Sequence, residues 1–266
     1  MSDKKDLRAA LGGILGDLKT YIRFQESMGV DGLQIRAEVR EQPGAKPSGT
    51  VVKEQAPVSP GSVPVSTQLG IFDRTGRFST LEEISEEIGD CTRCKLCEGR
   101  TTIVFGEGSS KARIVFVGEG PGADEDAQGR PFVGRAGKLL TKIIEAMGFA
   151  REDVYICNVV KCRPPGNRNP ESDEIGTCMP FLLSQLQVID PEIIICLGSV
   201  AAHALLRLKK GTSVSSLRGQ FHALGRSKVV VTYHTAALLR NPGFRKPLWE
   251  DMKMALAEIG LKPPRE

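Results

Sequence analysis

No apolar run in this 266-residue chain is long enough to cross a bilayer. The start, Met1-Ser2-Asp3-Lys4-Lys5-Asp6, lacks the apolar core of a secretory signal. These two absences predict a cytoplasmic protein without a membrane partner. Charge of one sign is scarce as well. The 36 Lys and Arg against 32 Asp and Glu leave a net charge of +4, which permits a nucleic-acid partner without demanding one. No internal repeat is visible, which argues against a solenoid. What is present suits a soluble globular chain: 40% hydrophobic residues supply a sizeable core, in one large domain or two small ones. In a cytoplasmic setting the seven cysteines read as metal ligands or core thiols and not as disulfides.

Residues 1–30 read as an amphipathic helix. Leu7, Leu11, Ile14, Leu18 and Tyr21 share one face, and Gly12, Gly13 and Gly16 weaken it. The expected role is docking a protein partner. Residues 31–79 carry Pro43, Pro47, Pro57, Pro60 and Pro64 and no lasting apolar period, so a disordered linker is expected. The globular domain spans 80–266, opening with a capping box at Thr80–Glu83. Four segments then read as strands covered on both faces: 112–118, 154–158, 192–197 and 228–233. Helical segments near 137–147, 171–188, 199–208 and 246–259 alternate with them. The pattern predicts an α/β three-layer sandwich around a central four-stranded, mainly parallel sheet.

The first strand runs into a glycine-rich stretch, Gly118 to Gly134, that reads as one long loop at the carboxyl end of the sheet, where ligands bind. Gly118, Gly120 and Ala123 fit a dinucleotide fingerprint. Two features oppose that reading. Pro121 removes a backbone donor, and Asp124, Glu125 and Asp126 would repel a pyrophosphate.

Cys91 and Cys94 form a C-x-x-C pair with Cys97 one step on; Cys162 and Cys178 follow the second strand. Cys157 and Cys196 lie inside apolar strands, where a thiol behaves as a small hydrophobe. The other five supply four positions, and four thiolates suit zinc or an iron–sulfur cluster; spacing does not choose. Arg93, Lys95, Arg100, Lys161 and Arg163 would offset thiolate charge or face phosphates. Asn158 ends the second strand, where an amide can meet a donor and an acceptor on a base edge or simply cap a turn. The Arg163-to-Asn169 segment is a rigid basic loop suited to phosphates. His234 ends the fourth strand, where it is a catalyst or a structural hydrogen-bonder. His203 and His222 read as structural.

These motifs in this order resemble family 4 uracil-DNA glycosylases, the iron–sulfur members of their superfamily, from about Ile88 to the C-terminus. The resemblance carried by Gly118–Gly122, Gly129–Gly134, Asn158–Pro165 and His234–Arg240 implies a DNA-repair enzyme acting on uracil in single- or double-stranded DNA, as a monomer. It implies a structural [4Fe–4S] cluster on Cys91, Cys94, Cys162 and Cys178, with Cys97 spare. Phe132 would stack on an extruded uracil beside Gly120. Asn158 would read its polar edge, and Glu125 would exclude a thymine methyl. His234 would donate to O2, and Glu119 or Asn167 would position the water. Leu238 would fill the vacated stack, and Arg240 and Arg163 would grip phosphates. The runner-up is a non-catalytic iron–sulfur DNA-binding module of a polymerase or repair complex. Two departures stand out. The family's His-Pro is His234-Thr235 here, and no basic, His-bearing insertion follows Pro164-Pro165, so turnover is expected and not a trapped adduct.

Overall fold

A computed structural model describes residues 77–208 and 211–264. The expected helix at 1–30, and the linker up to residue 76, lie outside the described residues.

The chain folds as expected from Thr80. Helix α1 (Leu81–Ile88) carries the capping box, with Glu83 N–H donating to Thr80 Oγ1 and the Glu83 carboxylate accepting from the Thr80 N–H. The sheet holds six strands, not four: β1 (Glu107–Gly108), β2 (Ile114–Gly118), β3 (Tyr155–Asn158), β4 (Ile193–Leu197), β5 (Phe221–Leu224) and β6 (Ser227–Thr232). Their order is β1-β3-β2-β4-β6-β5. The inner four are the strands expected from sequence, and they are parallel. The two added strands are antiparallel edges. One has only two residues, and the other buries only Leu224, so neither shows the continuous apolar run of a central strand.

Strands β2 and β4 are buried along their whole length. Their side chains alternate between two cores. Val115, Val117, Ile194 and Cys196 pack toward α1, α4 (Ser172–Ile189) and α5 (Ser199–Leu206). Ile114, Phe116, Ile193 and Ile195 pack toward α3 (Arg135–Ala146) and α8 (Arg245–Glu258). The period of two along each strand sets the two cores. Among the described residues no helix is long and apolar enough to cross a membrane.

The Gly118–Gly134 stretch is not one loop. It contains α2 (Ala123–Gln128), closed by Gly129 in the left-handed conformation. β3 and β4 flank β2 on opposite sides, so the chain reverses direction of travel there. The crevice at such a point, at the carboxyl ends of the strands, is where open α/β sheets hold ligands.

Candidate active site

A cleft of about 580 Å³ opens at those strand ends. Of the residues singled out from sequence, it brings together Glu119, Gly120, Glu125, Phe132, Asn158, Asn167, His234 and Arg240. They come from three strand ends and the segments that follow them: Glu119 and Gly120 leave β2, Asn158 closes β3, and His234 lies in the turn after β6.

Three side chains form the heart of the cleft. A Cβ added to Gly118 would sit 2.4 Å from Asn158 Oδ1 and 2.5 Å from Phe132 Cζ. Glycine at the end of β2 is therefore what lets the ring and the amide close over the same point. The Phe132 ring centroid lies 5.7 Å from that of His234. Asn158 is 2% exposed, and its Oδ1 has no hydrogen-bond partner among the described residues. A buried acceptor left unpaired costs about 1–3 kcal/mol, so this oxygen awaits a donor.

His234 Nδ1 accepts a 3.1 Å hydrogen bond from the Ala236 N–H. That nitrogen must then be unprotonated, and the proton resides on Nε2. Loss of water around the ring, with the Arg240 guanidinium nearby, pushes its pKa down to about 4. At neutral pH the imidazole is an uncharged donor of fixed tautomer. Burial raises the Glu119 carboxyl above its ordinary value.

Phe132 adopts φ +51°, costly for a bulky residue. Its neighbours hold it there. Glu125 Oε1 accepts from the N–H groups of Val133 and Gly134, both at 2.8 Å, and its Oε2 accepts from Gly122 N–H at 3.1 Å. The Arg151 guanidinium donates to the Pro131 carbonyl and is itself paired with Glu107. Gly137 of α3 completes the seat: a Cβ there would lie 1.9 Å from the Phe132 carbonyl carbon. The Glu125 carboxylate, which lines the cleft, thus also accepts from three backbone N–H groups and clasps the loop.

Other expectations need correction. Leu238 is 0% exposed and packed in the core beneath α7 (Thr235–Arg240). It cannot enter a duplex without unfolding that helix. Its neighbour Leu239 is 41% exposed. Ala236 and Arg240 line the cleft, and Leu239, three residues after the first, shares their side of the helix. The Leu-Leu pair gave no sequence signal as to which leucine faces out. Arg163 does not line the cleft; its Nε donates to Asn167 Oδ1 at 2.8 Å. Arg168, which lines the cleft, forms a fork to Glu174 at 2.6 and 2.8 Å. Lys161, one of the cations expected beside the thiols or phosphates, is buried and lines the cysteine cavity described next.

Cys91, Cys94, Cys162 and Cys178 line a second, small cavity with Ile88, Arg100 and Phe181. They arrive from three segments: the loop after α1, the end of the β3 strap and the middle of α4. Cys97 does not line it. Arg100 donates to Cys162 Sγ at 3.6 Å, and Arg93 to Cys91 Sγ at 3.4 Å. Burial nonetheless pushes the Cys162 thiol up to about 11. Among the described residues no three Cys, His, Asp or Glu side chains are gathered tightly enough for a single metal ion. A lone zinc holds its thiolates about 2.3 Å from one centre. Four thiols at one cavity are a donor set that fits a thiolate-held metal centre.

A mainly parallel sheet thus brings the Phe132 ring, the Asn158 amide and the His234 imidazole to one mouth. The profile of the Uracil DNA glycosylase superfamily matches residues 105–253, and the chain belongs to that superfamily. Within it the similarities run to type-4 members. The Type-4 uracil-DNA glycosylase of Thermotoga maritima is 48% identical over 186 residues, 69% of this chain and 96% of that protein. Those of Saccharolobus solfataricus and Archaeoglobus fulgidus are 47% and 44% identical, covering 70% of this chain in each case and 89% and 97% of theirs.

Proposed function

We propose that this protein is a DNA-repair hydrolase that excises uracil from DNA and leaves an abasic site. The observation that carries the reading is the convergence of Phe132, Asn158 and His234 on one cleft, with Asn158 Oδ1 buried and unpaired. Uracil within a duplex is out of reach, so the nucleotide swings out of the stack into the cleft. Phe132 stacks on the ring. Asn158 Oδ1 accepts from N3–H, and its amide donates to O4. Cytosine presents the reverse pattern and would leave both groups mispaired, at about 1–3 kcal/mol each.

Cleavage of the glycosidic bond leaves an oxocarbenium-like sugar and a uracil anion. His234 Nε2–H donates to the charge growing on O2. Its tautomer is set beforehand by the Ala236 N–H, so no reorganisation is needed when that charge appears. One such donor is worth ~3–4 kcal/mol. The Glu119 carboxylate places the attacking water and faces the cationic sugar. Asn167, the other candidate, is exposed with its Oδ1 taken by Arg163. Arg240 meets phosphate at the rim, and Leu239 fills the gap left in the stack.

Cys91, Cys94, Cys162 and Cys178 would hold a [4Fe–4S] cluster, which supplies a tie between three segments and not a reacting centre. Anaerobically purified protein should contain iron and acid-labile sulfide in equal amounts; a zinc-loaded, colourless sample would reject the cluster. The activity is tested with an oligonucleotide carrying one uracil, treated with alkali after incubation. Strand scission at the uracil is the expected result. An intact strand would favour a DNA-binding module without chemistry.

A further inference from the structure

Lys161 is 2% exposed. Placing a lysine where water does not reach is costly, and ordinary core packing would use leucine or methionine. Its Nζ donates to the Asn158 carbonyl at 2.9 Å and to Gln185 Oε1 at 2.6 Å. Both partners are uncharged oxygens. Gln185 is fixed in turn, its Nε2 donating to the Phe105 carbonyl and to Tyr155 Oη, both at 3.0 Å. The lysine backbone is pinned as well, its carbonyl accepting from Val104 N–H at 2.8 Å.

The segment from Asn158 to Cys162 is thus a strap with a cleft at one end and the cysteine cavity at the other. Val159 and Val160 N–H groups bond to the carbonyls of Gly118 and Glu119, at 2.9 and 3.1 Å. Lys161 folds back across this strap onto the peptide that orients the Asn158 amide. It also lines the cysteine cavity.

We infer that Lys161 is a positioning residue for base reading: its Nζ locks the Asn158 peptide from inside the protein, and so fixes where the amide points. Lys161 never touches the base; it acts through Asn158. The inference rests on reading Asn158 as the base-contacting amide.

The test uses anaerobically purified holoprotein and Lys161→Met, which keeps an unbranched apolar stem one atom shorter and loses the donor. Three quantities are measured: affinity for free uracil by titration calorimetry, kcat for excision, and KM for the oligonucleotide. Free-uracil affinity and kcat should both fall by on the order of tenfold or more, as for a misplaced contact group. KM should stay within about twofold, because phosphate contacts dominate DNA affinity. Gln185→Leu removes the second anchor of Lys161 while leaving its bond to the Asn158 carbonyl, and should lower uracil affinity and kcat about threefold. Should the Met variant fail to fold, the Leu variant decides alone. A folded Lys161→Met protein with parental uracil affinity and kcat overturns the inference, as does a lower melting temperature with both values unchanged. Failure of the parent protein itself to bind or release uracil is a separate result, and rejects the base-reading assignment instead.

Discussion

Replacing Asn158 with alanine should uncouple stability from activity. In the free protein Asn158 Oδ1 is buried without a partner, a strain of about 1–3 kcal/mol that alanine removes. Against this stands the packing that the shorter side chain gives up beside Gly118 and Phe132, a small cavity costing about as much. The net change should lie within about 1 kcal/mol of zero, or a melting shift of no more than about 4 °C for a domain of this size. With uracil bound, two hydrogen bonds in a water-poor cleft disappear. At ~1–3 kcal/mol for each, and 1.4 kcal/mol per factor of ten, excision should fall by between about 30-fold and about 10⁴-fold. The assay is single-turnover release from a uracil oligonucleotide, followed by alkali and gel separation, alongside thermal denaturation. The reasoning is refuted if excision stays within about tenfold of the parent, or if the variant melts more than about 8 °C lower. The second result would mean the amide is a satisfied structural group.

Leu238→Ala should cost about 2–5 kcal/mol of stability as a core truncation, whereas Leu239→Ala should change stability by less than about 0.5 kcal/mol. The latter should slow excision from duplex more than from single-stranded DNA; equal effects on both would remove Leu239 from the stack-filling role. Thr235→Pro should stabilise by about 0.4–1 kcal/mol in a denaturant melt. His234 already holds φ −67° and ψ 139°, the backbone a following proline requires, Thr235 is the first residue of α7, and its buried hydroxyl has no partner. Because the His234 pKa is lowered from 6.5 to about 4, the folded state binds fewer protons than the unfolded one. Its contribution to stability is complete above pH 6.5 and declines as pH falls from 6.5 through 4. His234 should add no break to the kcat/KM profile near pH 6.5, and its own limb should fall through about pH 4, below the limb set by the raised Glu119 carboxyl; a break near 6.5 that survives Glu119→Gln would count against the neutral imidazole.

Much of the site was legible before folding. Asn158 and His234 end apolar strand-length runs, and parallel strands covered on both faces bring their carboxyl ends to one edge. Strand order and pairing then place the two side chains near Phe132 with no further signal needed. The edge strands were hidden because Glu107–Gly108 is too short for a period and β5 buries one residue of four. The clasp made by Glu125 was hidden as well, because sequence does not show that α2 turns its carboxylate toward three backbone N–H groups.

The choice between Leu238 and Leu239 was likewise unreadable. Both are leucines in a six-residue helix, and only the packing of α7 on the core decides which is covered. Lys161 is the sharpest case. Beside a cysteine and an arginine it reads as a cation for thiolates or phosphates, and only the arrival of Gln185 from α4 makes a dry, hydrogen-bonded place for its Nζ. Sequence determined the strands, the caps and the chemistry available at the strand ends, because those depend on local pattern. Tertiary structure decided which of those groups face the cleft and which are spent holding it, because burial and hydrogen-bond partners come from segments far away in the chain.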